Sequence, residues 1–311
     1  MNSSRVSLSI LVARTDVSFL RQTVPHIVRS NAYKFAERAL VVDTAPLTPE
    51  YASRPHVGSR EELDEICNAL VVDGLIDKLH YINYTRSEVD RVHRAYFRRR
   101  VRETHGFRGY PVYGSLWSLE VAPTDYVVHF DSDMLIHQQV GGSWIDAGVD
   151  LLQRRSDILF VSPLSGPPRP DGKLFQGVTA YEHDPEGFNK FGLFTSRKFL
   201  VDRRKLRSIG LRPRWISWKR RLASYWTGQT ALWTFEMMAS DQMGKLGLWR
   251  ADLADGRAWT LHTPDHGREF LRRLPDIISK VERGCFPPEQ AGHYDLKLEL
   301  WPDTSDSVVS G

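Results

Sequence analysis

The stretch Tyr126-Val-Val-His-Phe-Asp-Ser-Asp133 decides how the rest of the chain is interpreted. Its first five residues are β-branched or aromatic apart from one histidine, which is the pattern of a buried strand. Asp131 and Asp133 follow directly, and a spacing of two directs both side chains to the same side of an extended backbone. The sequence therefore predicts a strand over 126–130 that ends in a pair of carboxylates.

Further apolar segments alternate with amphipathic ones along the chain. Strands are predicted over residues 6–13, 39–43, 78–84, 158–163, 249–253 and 258–261. Helices are predicted over residues 17–30 (with Asp16 as the N-cap), 59–70, 86–102, 144–154, 197–206, 232–246 and 269–282. This alternation favours an α/β fold, in which a mostly parallel sheet is covered by helices on both faces.

Carboxylates lie at the ends of three of the predicted strands. Arg14-Thr15-Asp16 comes after the first strand, Asp43 is the last residue of the second, and the pair Asp131 and Asp133 comes after the strand over 126–130. Ligands of such sheets bind outside the carboxyl ends of the strands, so these side chains are expected at one site.

The Asp131/Asp133 pair can be explained in two ways. Carboxylate oxygens suit Mg²⁺ or Mn²⁺, which share their ligands with substrate phosphates and can neutralise a diphosphate leaving group. Alternatively, Asp-Ser-Asp is ordinary turn chemistry after a strand. An EF-hand is excluded, because Leu135 and Ile136 stand where that loop needs a carboxylate and a glycine.

Composition excludes several classes of protein. The 311 residues are 41% hydrophobic and 26% charged, which fits a globular protein with a substantial core. No apolar run is long enough for a membrane span, and the amino terminus lacks the pattern of a signal peptide. Cys67 and Cys285 lie far apart and form no motif, so we expect reduced thiols in the core and a cytoplasmic location. Walker, GxGxxG, GxSxG and HExxH motifs are absent from the sequence.

The net charge is +4 and the isoelectric point about 9.0, which is less basic than a dedicated nucleic-acid-binding protein, and no nucleic-acid partner is expected. The excess is clustered. One cluster is Arg91, Arg94, Arg98, Arg99, Arg100 and Arg102, and the second is Arg212, Arg214, Lys219, Arg220 and Arg221, with Trp215, Trp218 and Trp226 among or beside it. Each cluster is either a solvated face or a rim that attracts an anionic ligand or an anionic lipid surface.

The strand over 126–130 with Asp131 and Asp133 resembles the GT-A fold nucleotide-sugar glycosyltransferases, in particular family-2-like enzymes. The resemblance covers residues 7–163 well and the remainder loosely. It implies a Rossmann-like sheet in which Ala13, Arg14 and Thr15 approach the base and ribose, and Asp43 accepts a hydrogen bond from the base or a ribose hydroxyl. It also implies that Asp131 and Ser132 lie near the ribose or the metal, with Asp133 as the firmer ligand of Mn²⁺ or Mg²⁺.

In inverting relatives a carboxylate at the start of a late helix is the general base. By that resemblance Glu236 is the candidate, although Met237 stands where relatives have a second carboxylate. Asp241 is the alternative, and residues five apart on a helix point about 140° away from each other, so one of the two is expected to face the cleft. A solvated helix charge is the remaining interpretation of Glu236.

A histidine completes the metal shell in many GT-A enzymes, and His262 at the end of a late strand resembles it. His266 lies four residues further on, and the intervening Pro264 argues against an uninterrupted helix between them. Either histidine could instead be an ordinary surface or core residue.

The resemblance implies one catalytic domain over residues 1–302, with a nucleotide-binding part over about 1–135, a smaller acceptor-side part over about 136–302, and a flexible tail over 303–311. The expected function is metal-assisted, inverting transfer of a sugar from a nucleotide diphosphate sugar, with a UDP-sugar as the expected donor, to an acceptor hydroxyl or amine. The expected acceptor is a carbohydrate, a small molecule or a lipid-linked molecule. Peripheral contact with a membrane is a further expectation that the sequence allows. The alternatives are a nucleotidyltransferase, disfavoured because no glycine follows the first strand, and a non-catalytic basic module that binds a membrane or a partner.

Overall fold

The computed structural model describes residues 5–175, 180–227 and 230–302, and the predicted tail over 303–311 lies outside them. The strands in these ranges are β1 Val6–Val12, β2 Arg38–Val42, β3 Lys78–Tyr81, β4 Tyr126–Asp131, β5 Met134–Gln138, β6 Ile158–Ser162, β7 Leu164–Ser165, β8 Tyr181–Asp184, β9 Phe188–Phe191, β10 Lys198–Asp202, β11 Trp249–Leu253 and β12 Ala258–His262. The α-helices are α1 Leu20–Asn31, α2 Pro49–Ala52, α3 Arg60–Val72, α4 Arg86–Phe97, α5 Tyr113–Val121, α6 Trp144–Arg154, α7 Arg203–Ile209, α8 Trp218–Thr227, α9 Phe235–Leu246 and α10 Arg268–Glu282. No helix within the described ranges is both long and apolar enough to cross a bilayer.

The main sheet has nine strands in the order β3-β2-β1-β4-β10-β6-β11-β9-β8. Its first half is parallel, because β1 pairs in parallel with both β2 and β4, and β2 pairs in parallel with β3. Beyond β4 the sheet is mixed: β10 is antiparallel to both of its neighbours, β9 is antiparallel to β11 and β8, and only β6 and β11 pair in parallel. The α/β class is observed, but the prediction of a mostly parallel sheet is wrong for this second half.

The main error lies at β10, where a helix is predicted over 197–206. Lys198–Asp202 forms a strand instead, and α7 begins only at Arg203, with the Asp202 side chain accepting a hydrogen bond from the Arg204 backbone N–H. The strand is buried between β4 and β6, so pairing with segments distant in the sequence decides its conformation.

Helices cover both faces of the main sheet, as predicted. On one face, alternate residues of β1 such as Leu8 and Ile10 pack with α1, α3 and α6 in one apolar cluster. On the other face, Leu11 and Val127 belong to a second cluster that includes α4, α5 and α9. This two-sided burial leaves the strand ends as the exposed edge of the sheet.

A second sheet, in the order β5-β12-β7, lies directly beyond the carboxyl end of β4. β4 ends at Asp131, and β5 begins at Met134 after a tight turn. In the antiparallel pairing of β5 with β12, His262 lies opposite Met134. The small sheet therefore brings the end of β12 next to the Asp131–Asp133 turn.

Candidate active site

A cavity of about 560 Å³ opens at the carboxyl ends of β1, β2 and β4. Residues predicted for the site from very different parts of the sequence line it together: Ala13, Arg14, Thr15, Asp43, Asp131, Ser132, Asp133, Glu236 and His262. This is the position at which open α/β sheets bind ligands. The cavity is therefore the candidate active site, and the roles of its residues stay predictions.

The end of β1 turns sharply into the cavity wall. Arg14–Asp16 form a single 3₁₀ turn, and α1 begins only at Leu20, so Asp16 does not cap that helix as predicted. Asp16 instead accepts hydrogen bonds from the Ala13 backbone N–H at 2.8 Å and from the Thr15 hydroxyl at 2.6 Å. Arg14 is held by its Nε, which donates to the Gly58 carbonyl at 2.9 Å.

Asp43, directly after β2, is also held in place. Its Oδ1 accepts hydrogen bonds from the Tyr84 hydroxyl and from the Ala45 backbone N–H, both at 2.8 Å. Burial, together with the Asp43 charge, raises the pKa of Tyr84 far above its usual range. The ring of His105, which also lines the cavity, stacks against Tyr84 with centroids 6.1 Å apart. This corner thus offers a fixed carboxylate beside aromatic surface.

Asp131 and Asp133 lie at the centre of the cavity wall. Asp131 Oδ1 is 3.3 Å from His129 Nε2, and its side chain is 35% exposed. The Asp133 side chain is 23% exposed, and its Oδ1 is shielded from solvent with no hydrogen-bond partner in the described parts of the chain. Burial raises the pKa of Asp133, and the charge of Asp131 acts in the same direction, against the opposing effects of His262 and Arg197.

Two histidines face Asp133. Its Oδ2 lies 3.7 Å from Nε2 of His262 and 3.8 Å from Nε2 of His266, beyond hydrogen-bond distance in both cases. On the other side of the His262 ring, Nδ1 donates a 2.6 Å hydrogen bond to Oδ1 of Asp295. Carboxylates commonly orient metal-binding histidines in this way. His266 Nε2 is buried and has no hydrogen-bond partner among the residues described.

These residues fit a divalent cation in part. Asp133 Oδ1 and His266 Nε2 are buried acceptor atoms left unsatisfied, and unsatisfied acceptors favour a bound cation. Yet no group of three or more His, Cys, Asp or Glu side chains in residues 5–175, 180–227 and 230–302 is arranged to hold a metal ion. The described side chains do not form a complete metal site by themselves, and a metal at this position would need further ligands from water or substrate phosphates.

Arg197 is a cavity residue that sequence reasoning missed. Burial alone would lower the pKa of its guanidinium, but Tyr294, Asp133, Asp131 and Glu236 together raise it above the ordinary value. The Arg197 carbonyl accepts a 2.7 Å hydrogen bond from the Asp131 backbone N–H, which fixes the two residues side by side. Because a helix is predicted over 197–206, Arg197 is not expected at the cavity. Its position there depends on the pairing of β10 with β4.

Glu236 enters the cavity from the first turn of α9. Thr234 caps the helix by accepting a hydrogen bond from the Met237 N–H, so the helix begins three residues later than the predicted 232. Glu236 Oε1 accepts from the Ser196 backbone N–H at 2.7 Å and from the Ser196 and Thr195 hydroxyls at 3.2 Å. Three donors hold the carboxylate in one orientation.

Asp241, the alternative base, is not among the cavity residues. It forms ion pairs with Arg214 at 2.6 Å and with Lys245 at 2.5 Å on the outer side of α9. The helical rotation of about 140° between residues five apart explains why Glu236 and Asp241 face different surroundings.

The chain matches no protein-family model and no curated protein. Among solved structures it resembles an active-site mutant of LgtC, a glycosyltransferase, with 9% sequence identity and a TM-score of 0.33. The likeness covers 65% of this chain and 59% of the LgtC chain, so the chain spans less than two thirds of that structure. A similarity at this level carries no argument about activity, and the GT-A assignment remains a prediction.

Proposed function

We propose that the protein transfers a sugar from a nucleotide diphosphate sugar to an acceptor hydroxyl or amine, with a divalent cation bound at Asp133. The favoured donor is a UDP-sugar. The observation that carries the proposal is the surroundings of Asp133, whose Oδ1 is buried without a partner while His262 and His266 face its Oδ2. When bound there, Mn²⁺ or Mg²⁺ would neutralise the charge of a diphosphate leaving group.

The nucleotide half of the donor is assigned to the ends of β1, β2 and β4. Asp43 is the proposed acceptor for a base or ribose hydroxyl, since Tyr84 and Ala45 fix its Oδ1 and orient the carboxylate. Ala13, Arg14 and Thr15 form the adjoining wall, with Ser132 near the ribose. We therefore propose that residues from about 1 to 135 form the nucleotide-binding part and that residues from about 136 to 302 form the acceptor side.

The chemical step uses two further residues. Glu236 accepts the proton of the acceptor hydroxyl as that oxygen bonds to the anomeric carbon, while the bond from this carbon to the diphosphate breaks. Arg197 stabilises the negative charge that develops on the leaving diphosphate. The acceptor oxygen attacks the anomeric carbon on the side opposite the diphosphate, and this inverts the configuration of that carbon. Both residues line the same cavity as Asp133, which supports this assignment.

A thermal-shift screen tests the proposal. UDP-, GDP-, dTDP- and CDP-sugars are added singly, with Mn²⁺ and with EDTA. A ligand that binds only the folded protein, at about 100 times its Kd, contributes ~2.7 kcal/mol of stability and raises the Tm. We expect a rise with one nucleotide class that depends on Mn²⁺. The proposal is wrong if no nucleotide sugar raises the Tm, or if EDTA leaves the rise unchanged.

Both cysteines are free thiols, but only Cys67 is buried; Cys285 is exposed, so the prediction of a core thiol is wrong for Cys285. Free thiols are usual in reducing compartments, and we propose a cytoplasmic location on this ground. Measuring the Tm with and without a reductant checks this assignment, because a protein adapted to a reducing compartment gains no stability from oxidation.

A further inference from the structure

An excursion of the chain leaves the fold beside the cavity and returns to it. Trp215 and Leu232 form an isolated antiparallel bridge at its base. Two hydrogen bonds close the base, from the Ile216 N–H to the Ala231 carbonyl at 2.9 Å and from the Trp233 N–H to the Arg214 carbonyl at 2.8 Å. Helix α8 lies within the excursion, and the returning chain continues directly into the Thr234–Glu236 wall of the cavity.

The start of α8 exposes large apolar side chains. Ile216 is 37% exposed, Trp218 68% and Leu222 48%, and we call these three residues the apolar patch. Trp218 and Leu222 are four apart, so they lie on one face of the helix. Isolated exposed apolar residues are normal, but three within seven residues mark a candidate contact surface.

Basic residues flank the apolar patch in the sequence, with Arg212 and Arg214 before it and Lys219 and Arg220 within it. Arg99, Arg212, Arg214 and Lys245 line a shallow cavity of about 380 Å³, and Lys219 and Arg220 follow on α8; we call these six residues the basic face. Within the described chain, Asp241 is the carboxylate that pairs with this face, bound to Arg214 and Lys245. Arg99, Arg212, Lys219 and Arg220 form no ion pair with any described carboxylate. The surface is therefore strongly positive.

We propose that the basic face and the apolar patch dock the protein on an anionic membrane surface. Tryptophan favours the boundary between headgroups and acyl chains, where the ring is buried and the edge stays hydrated. Lysine and arginine beside it are attracted to anionic headgroups. A nucleic acid would use the cations but leave Ile216 and Leu222 in water, so the mixture fits a lipid surface better.

Vesicle co-sedimentation tests the proposal with the full-length protein and no nucleotide sugar present. The probes are phosphatidylcholine vesicles with and without phosphatidylglycerol. We expect binding to the anionic vesicles that weakens with salt, because the cations contribute by electrostatic attraction. The double variant Arg99→Gln/Arg212→Gln should bind about 30-fold more weakly, since each cation near the surface contributes about fivefold.

Matched control variants test whether vesicle binding depends on the basic face and the apolar patch, rather than on net charge or on nonspecific hydrophobic contact. Lys34→Gln/Lys78→Gln removes the same charge from exposed positions just before β2 and at the start of β3, and should bind as the natural protein does. Trp218→Ser should weaken binding, whereas Val140→Ser, which removes an apolar side chain that is 99% exposed, should not. The Tm of each variant shows that it is folded.

The proposal is overturned by equal binding to neutral and anionic vesicles, by equal loss in the two double variants, or by no vesicle binding. A surface that captures only a protein partner would give the last result. Because no donor is present, this outcome is separate from that of the thermal-shift screen, and either proposal can fail alone.

Discussion

The hydroxyl of Ser132 donates a 2.9 Å hydrogen bond to Oδ2 of Asp16, and this bond joins the turn after β4 to the turn after β1. Burial raises the pKa of Asp16 to about 6, and the charge of Asp133 adds to the rise, while the bonds from Thr15, Ala13 and Ser132 oppose it. The Ser132 bond thus fixes the distance between two acidic turns that would otherwise repel each other.

Ser132→Ala should lower the free energy of unfolding by about 1–3 kcal/mol, because Asp16 loses a donor in a partly buried site. Urea denaturation measures this change. In a double-mutant cycle with Asp16→Ala the two effects should not add, since both variants remove the same bond. Ser208→Ala, whose hydroxyl donates to the nearby Lys205 carbonyl on an exposed helix, should cost less than about 0.5 kcal/mol. Additive effects of Ser132→Ala and Asp16→Ala would contradict this account.

Asp133→Asn should reduce Mn²⁺-dependent binding of the donor at least about 100-fold, because an amide is a poor substitute for a carboxylate ligand. Isothermal titration of the nucleotide sugar at fixed Mn²⁺ measures the loss. The Tm without ligand should not fall, since burial raises the pKa of Asp133 and its charge is a cost to the folded protein.

Asp150→Asn is the matched control, because it removes an equal charge from an exposed position on α6. Its donor affinity should equal that of the natural protein. Equal affinities for all three proteins would place the cation elsewhere or exclude it from donor binding.

Local patterns predicted most of the fold. The strands beginning at Val6, Tyr126 and Ile158 consist mainly of β-branched, aliphatic and aromatic residues, so their own sequences identify them, and the structure confirms all three. Strand β10 is not predicted from its own residues, because the flanking Arg197 and Arg203 resemble the ends of an amphipathic helix. Its conformation depends on β4 and β6, which local reasoning does not include.

The residues of the candidate site are likewise predictable only where they follow strands that local sequence patterns identify. Asp43 and Asp131 lie at the ends of predicted strands, so the rule for sheet edges places them at the cavity. Arg197 depends on the unpredicted strand β10. His266 lies in the connection between β12 and α10, where its contact with Phe19, at 4.5 Å between ring centroids, is set by tertiary packing.

Glu236→Gln should lower kcat by about 10²–10⁴-fold and leave the KM for the donor unchanged, because the amide keeps the shape of the side chain but cannot accept the acceptor's proton. Its carbonyl oxygen can still accept from Ser196 and Thr195, so the Tm should stay close to that of the natural protein. Steady-state kinetics with the donor found in the screen measure both constants.

Asp241→Asn decides between the two candidate bases. This side chain pairs with Arg214 and Lys245 outside the cavity, so its loss should leave kcat within about twofold and alter stability by less than about 1 kcal/mol. A large loss of kcat in Asp241→Asn with full activity in Glu236→Gln would reverse the assignment.

Lys198 should make stability depend on pH. Its ammonium is fully buried, donating to the Pro163 carbonyl at 2.9 Å and to the Ser165 hydroxyl at 2.8 Å, and it lies 3.9 Å from Asp252. Burial lowers the pKa of Lys198 from 10.5 to about 7, against the favourable charge of Asp252. Between these values the unfolded chain binds more protons than the folded one, so the free energy of unfolding rises with pH.

Lys198→Met should remove that rise, which amounts to as much as about 1.4 kcal/mol per pH unit between pH 7 and 10.5. Urea denaturation at several pH values in this interval measures the slope, and subtracting the variant's curve cancels other titrating groups. Lys34→Met, which removes a lysine at an exposed position, is the control and should keep the slope of the natural protein. A slope that persists unchanged in Lys198→Met would show that other groups cause it and that burial does not lower the pKa of Lys198.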